Sequence, residues 1–508
     1  MSRTRSVLSW LENTSDLLNP IVVKEVRQIV RGREFNYALS ASLVVGLAVA
    51  FFGAADALTG SGATGRWTFT ALMIGLGVLG FGVVPLGAFS ALRHERMERT
   101  LDLITLTALS PGRVIVGKLL AQTVKLLTLF SAIAPFIAMS FLLGGIDFVT
   151  ILVSLLMVFL WSVWAIAFCL LLSTLFRSRA MSGIVFGAFG LALFLLFNVA
   201  QSVFLMARFG IGAGISMSGS PDAWWLLTII TSFCLVSIVN LVLLGENRLT
   251  LPTENRATRL RIGFLVQFLL IAAWALSYVN DLPRVKSNAV DGLMGFGGLH
   301  LAAVAIFTVS EDLVVPRRVL AQLNRMKGWR VLFAVFMPGG GRGASYVLAQ
   351  MGGLFLAASA LGADGSQLRW LAALCGYICF FTGFPALTWR VLNLDHPAAL
   401  QVRVSVLVLV LAATVLPDLA HYVFWQPDVL SLSFAVRHLV NPFRTLANWR
   451  VVEGQAWFVI PFAMGAAGAI AYVLLLLLGM RATGQPAPVR APGAPPVTEE
   501  AGRANVLY

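Results

Sequence analysis

Charge is what this chain has least of. Only 12% of its 508 residues are Asp, Glu, Lys or Arg, about half the share of an ordinary soluble domain, which excludes a soluble enzyme. Acid is the scarcer sign, with 23 carboxylates against 37 Lys and Arg. Inside the long apolar runs carboxylates nearly vanish: Asp56 and Asp418 lie near outer ends, and Glu311 and Asp312 at an inner end. A carrier driven by an ion gradient usually places Asp, Glu or His deep in its spans, so the energy source is expected to be external. Cysteine is equally sparse. Cys169, Cys234, Cys375 and Cys379 all fall in apolar runs, so no disulfide framework is implied. Cys375 and Cys379 are one turn apart, but two thiols without a nearby His or carboxylate read as packing residues and not as a metal site. Catalytic patterns are missing too: there is no H-E-x-x-H and no G-x-S-x-G, and His94, His300, His396, His421 and His438 are isolated from one another. No catalytic, cofactor-binding or metal residues are expected, and the chain does not read as an enzyme.

Apolar runs are what it has most of. Hydrophobic residues make up 58% of the chain, and its mean hydropathy is +0.85. Runs of the twenty or so residues that cross a bilayer recur near 37–58, 68–92, 119–143, 150–175, 180–207 and 223–245, then near 262–280, 293–310, 346–363, 369–389, 404–425 and 457–480. The expectation is an all-α polytopic membrane bundle of about 12 transmembrane helices. With the N-terminus inside, 28 of the 37 Lys and Arg fall in cytosolic loops, 8 fall outside, and Lys125 lies within a span. That asymmetry puts both termini in the cytosol. The net charge of +14 then follows from topology and anionic lipid, with no need for nucleic acid. Residues 246–261 form a polar linker between a first six-span unit, 37–245, and a second, 262–480. The Pro/Gly/Ala-rich 481–508 reads as a disordered cytosolic tail. The first thirty-five residues carry charges throughout and no apolar core, so no cleavable signal peptide is expected.

The most informative polar stretch is RHERMERTLDLITLTALSPGRVIVGKLLA, within the inner loop 93–118 and the start of the third span. Glu95 and Glu98 lie one helical turn apart with Arg96 and Arg99 interleaved. Thr100 and Leu101 open an apolar run through Leu106, and Ser110-Pro111-Gly112 ends it. Ser110 is placed to accept from the next backbone amides and Pro111 is pre-set for a first helical turn. The order Glu95, Glu98, Thr100-Leu101-Asp102, Leu109-Ser110-Pro111, Gly117-Lys118-Leu119-Leu120 resembles the loop between the second and third spans of ABC-2-type ATP-binding-cassette permeases. The resemblance covers about thirty residues; Arg99 and Ala108 depart from the small residue and the proline usual there. It implies a transport subunit coupled through this loop to a separate ATPase, with ATP bound by that partner. It also implies export and a possible dimer of permeases. The alternatives are an ion-coupled secondary transporter and a membrane-embedded enzyme.

A second element supports the first. Residues 20–35, PIVVKEVRQIVRGREF, form an amphipathic helix with Ile21, Val22, Val26, Ile29 and Val30 on one half and Lys24, Arg27, Gln28 and Arg31 on the other. Within 1–36 it reads either as an interfacial anchor on membrane lipid or, by the same resemblance, as part of the ATPase platform through Lys24, Glu25 and Arg27. Gly112 to Lys118 spells six-sevenths of a phosphate-binding loop, but Leu119 stands where Ser or Thr must hold magnesium, so nucleotide binding is not expected here. Gly75, Gly77, Gly80, Gly82 and Gly87 with Pro85 mark the second span for close packing or a kink. Lys125 is expected to snorkel its ammonium to the headgroups. Asn198 and Gln201 share a face of the fifth span and serve as helix glue or as lining of a translocation path. The stretch Pro338-Gly339 to Arg342 followed by Val347-Leu348-Ala349-Gln350 weakly echoes Pro111-Gly112-Arg113 followed by Leu119-Leu120-Ala121-Gln122, which suggests an internal repeat. The outer loop from Gln426 to Ala456 is expected to hold a short surface helix, with Trp425, Trp449 and Trp457 in the interface belt.

Overall fold

The computed structural model describes residues 20–58, 64–97, 110–144, 146, 148–175, 221–250, 254–281, 286–313, 315–326, 328–392, 399–425, 436–454 and 458–484. Those residues are all-helical with no strand, and ten of the helices are long and apolar enough to cross a membrane. The expected span at 180–207, with Asn198 and Gln201, lies outside them, as do Glu98, Thr100 and Leu101. The expected span at 404–425 lies within a helix, Ala399–Trp425, whose apolar part over the described side chains is the shorter Gln401–Pro417. The chain divides into two compact units, Met1–Thr250 and Leu251–Tyr508.

The first unit runs α1 (Pro20–Arg31), α2 (Arg33–Leu58), α3 (Thr64–Gly77), a π-turn (Val78–Val83), α4 (Val84–Met97), α5 (Pro111–Leu142), α6 (Phe148–Leu175) and α7 (Pro221–Leu249). The π-turn has a sequence cause. Pro85 has no amide hydrogen to give the carbonyl of Phe81, and the Val84 amide donates five residues back to Leu79 instead of four. Gly80 meets no side chain of its own at this wide turn; a Cβ there would lie 2.1 Å from Ser162 Oγ on α6. The central helix is α5, which packs on α1, α2, α3, α6 and α7. Its buried face carries one stripe that changes character along its length: Lys118, Gln122 and Lys125 are continued at helical spacing by Leu129, Ile133 and Ile137. The apolar half joins a core of Leu76, Val84, Leu92, Leu126 and Ile166. Lys125 departs from expectation. Instead of snorkelling it is 6% exposed and lies against Gly87 of α4, whose absent Cβ leaves room for the ammonium.

The second unit runs α8 (Thr258–Asp281), α9 (Lys286–Val309), α10 (Arg317–Asn324), a 3-10 turn (Gly328–Phe336), α11 (Gly340–Ala360), α12 (Gly365–Leu392), α13 (Ala399–Trp425), a 3-10 turn (Val436–Val440), α14 (Pro442–Ala447), α15 (Trp449–Glu453) and α16 (Val459–Gly484). Small residues let α12 and α16 touch along their backbones. A Cβ on Gly376 would lie 2.8 Å from Gly465 Cα, and one on Gly468 would lie 2.3 Å from the Phe380 amide nitrogen. The segment 426–456, expected to lie outside and to hold a short surface helix, holds α14 and α15 among its described residues. Asn441 caps α14 by accepting from the amides of Phe443 at 3.0 Å and Arg444 at 3.2 Å. Trp449, expected in an interface belt, is instead buried with Leu439, Val452 and Ala373. The reason is that Trp370 Nε1 donates to Leu446 O at 3.0 Å and Tyr377 Oη to Leu439 O, which draw the segment onto α12.

Candidate functional site

In the first unit, three residues singled out from the sequence converge. On α1, Ile21, Glu25 and Ile29 recur every fourth residue and form the stripe that packs on α5. Glu25 is therefore buried in the middle of an apolar stripe, 6% exposed, while Lys24, Arg27 and Arg31 point outward. Facing it is Lys118, two turns into α5 and 2% exposed. Lys118 Nζ lies 2.9 Å from Glu25 Oε1 and 3.0 Å from Glu95 Oε2, at the end of α4. One ammonium thus joins three helices.

An ion centre of this kind holds position more than it adds stability. Desolvating the three charges costs much of what their attraction returns, but removing one partner strands the others. A buried ammonium is tolerable here because two carboxylates meet it. The helix that carries it starts as the sequence suggests, with Ser110 extended and Pro111 at the first helical position. One detail differs: the Ser110 hydroxyl makes no capping bond, and its carbonyl accepts from the Arg113 amide at 2.9 Å. The negative charge at this helix start is Glu246 of α7, whose carboxylate lies about 3 Å from where a Gly112 Cβ would be and suits the positive end of the helix dipole. The phosphate-loop lookalike Gly112 to Lys118 is continuous α-helix.

The second unit has a comparable centre that sequence reasoning missed. Arg261, in the stretch read as polar linker, is fully buried near the start of α8. Its Nη1 donates to Val335 O at 2.6 Å and Met337 O at 2.8 Å, and its Nη2 to Glu311 Oε2 at 2.6 Å and Gly339 O at 3.3 Å. Glu311 Oε2 also accepts the Gly339 amide at 2.9 Å. The turn needs glycine: Gly339 has φ +132°, and a Cβ on Gly343 would lie 2.1 Å from Thr308 O. Arg390 Nη2 closes the turn by donating to Val309 O at 2.9 Å and to Glu311 O. Just before α8, burial pulls the Arg256 guanidinium below its ordinary value, and Asp312 offsets part of that shift. In both units, then, an acid that closes the second span meets a cation beside the start of the third, which opens at Pro-Gly. The signal available in sequence was the run Pro338 to Gly343, since three successive glycines mark a backbone that must come close to something.

No family model, no curated protein and no solved structure matches this chain.

Proposed function

We propose that the chain is the membrane subunit of an ABC-2-type transporter in the cytoplasmic membrane, with both termini in the cytosol, worked by a separate ATPase and moving its substrate outward. ATP sits on the partner, and this chain supplies no chemistry. The observation that supports the reading is the Lys118 centre. It ties α1 and the end of α4, the two elements a cytosolic partner would grip, to α5, the helix on which most of the unit packs. A push on either element reaches α5 through an ammonium that both carboxylates hold, and the exposed Lys24 and Arg27 of α1 face outward for a partner surface.

A second reading, an ion-coupled carrier, draws on one observation. His300 is 4% exposed in the middle of α9, between Phe264 and Phe268, which is where a proton site would lie. The experiment pairs the chain with the ATPase that co-purifies with it. Lys24→Glu with Arg27→Glu should lower stimulated hydrolysis several-fold while insertion and the Lys118 centre stay intact. Solute movement by the purified chain alone, driven by a pH gradient and lost in His300→Gln, refutes the first reading and establishes the second.

A further inference from the structure

The middle of the second unit gathers sulfur. Cys375 and Cys379 lie one turn apart on α12, and Met351 of α11 lies against Cys379. Their exposures are 7%, 4% and 5%. Cys379 Sγ lies 3.8 Å from Met351 Sδ, and the two thiols are within electrostatic reach of each other. Tyr472 of α16 is within electrostatic reach of both thiols and fully buried, with its hydroxyl 2.8 Å from Thr382 Oγ1.

We propose that Met351, Cys375 and Cys379 form a binding site for a soft monovalent metal ion of the Cu(I) class. The spacing fits one ion. With metal–sulfur bonds of about 2.3 Å, two sulfurs on a shared ion stand about 3.8 Å apart at tetrahedral angles and about 4.0 Å apart at trigonal ones. The ligand chemistry points to a soft ion, because thiolate and thioether donors favour Cu(I); zinc also takes thiolate but is almost always four-coordinate at structural sites, and this set supplies three sulfurs with no imidazole or carboxylate. Charge selects it again. On binding, one thiol gives up its proton to solvent as its sulfur takes the metal, so a +1 ion and one thiolate leave the site neutral, which suits a low-dielectric interior. A divalent ion would be neutral there only if both thiols lost their protons, which costs a second deprotonation in the same low-dielectric interior. The i, i+4 spacing of the cysteines brings their side chains to one face, so one ion can reach both sulfurs.

The proposal is independent of any ATPase and is tested on the full-length chain alone. The purified protein is titrated anaerobically with Cu(I) against a chromophoric chelator. Wild type should take up one ion tightly, and Cys169→Ser with Cys234→Ser, which removes the two buried thiols of the first unit, should take up the same. Cys375→Ser with Cys379→Ser should lose the ion. Met351→Leu conserves volume and should fold; it should weaken binding about tenfold or more and drop the sulfur count seen by X-ray absorption from three to two. No uptake by wild type means that the sulfurs only pack against one another, and the proposal fails. It fails equally if the double serine variant binds as wild type does, or if Met351→Leu leaves both affinity and sulfur count unchanged.

Discussion

Lys118 and Glu25 meet at 2.9 Å although 93 residues separate them in the chain. Neither is placed by its own helix alone: α1 offers Glu25 from an apolar stripe, and α5 offers Lys118 from the polar half of its buried face. Replacing Lys118 by Met should therefore be costly, about 3–5 kcal/mol, because it leaves buried carboxylates without a counter-charge. Adding Glu25→Gln to that variant should recover part of the loss. The check is the apparent unfolding midpoint in detergent for the two single variants and the pair. Strictly additive effects would contradict a shared ion centre.

Arg261→Lys should not rescue the second unit's centre. A guanidinium reaches Val335 O, Met337 O, Gly339 O and Glu311 from two nitrogens, while an ammonium has one nitrogen and different geometry. The expected loss is at least about 2 kcal/mol, the cost of one or two stranded buried carbonyls. Protease sensitivity across residues 328–340 reports it directly, and a lysine variant as resistant as wild type would show that charge alone suffices.

Two glycines separate close packing from helix propensity. Gly468→Ala puts a methyl against the backbone of Phe380, which cannot rotate away, whereas a Cβ on Gly352 meets nothing within 4 Å. The first should destabilise by about 1–3 kcal/mol, and the second should be neutral or mildly stabilising. Thermal unfolding of the two variants side by side is sufficient.

Acid should loosen the contact between α15 and the start of α12. Ser366 and then Arg369 donate to Glu453 and hold its carboxyl below the usual carboxylate range. A depressed value means that the stabilisation is present above the ordinary pKa, about 4, and is lost as pH falls through the lower folded value. The effect is modest, since Arg369 is half exposed. Hydrogen exchange of residues 449–454, corrected for intrinsic rate, should rise from pH 5 to pH 3 in wild type and stay flat in Glu453→Gln.

Much of the architecture was legible because the signal is local. A run of twenty apolar residues reads as a crossing helix whatever lies around it, and α5 extends its run by about two turns at the start, beginning at Pro111 where apolarity alone begins near Leu119. The start at Ser110-Pro111 was legible for the same reason. Arg261 was not, since a basic residue at the end of the polar run 246–261 looks like part of a linker until Glu311 and the carbonyls of Val335, Met337 and Gly339 close around it.

By itself, then, the order of residues settled the helical class, the position of most spans and the short set of charged residues worth following, Glu25, Glu95 and Lys118 among them. Only the tertiary structure decided which of these charges pair, that Lys125 turns inward over Gly87, and that Met351 comes to lie against Cys379. The physical reason is one of range. Hydrophobic periodicity acts over three or four residues and is written along the chain. Ion pairing and ligand geometry depend on how far each helix is rotated about its axis when it packs, and that angle is set by small residues on neighbouring helices far away in sequence.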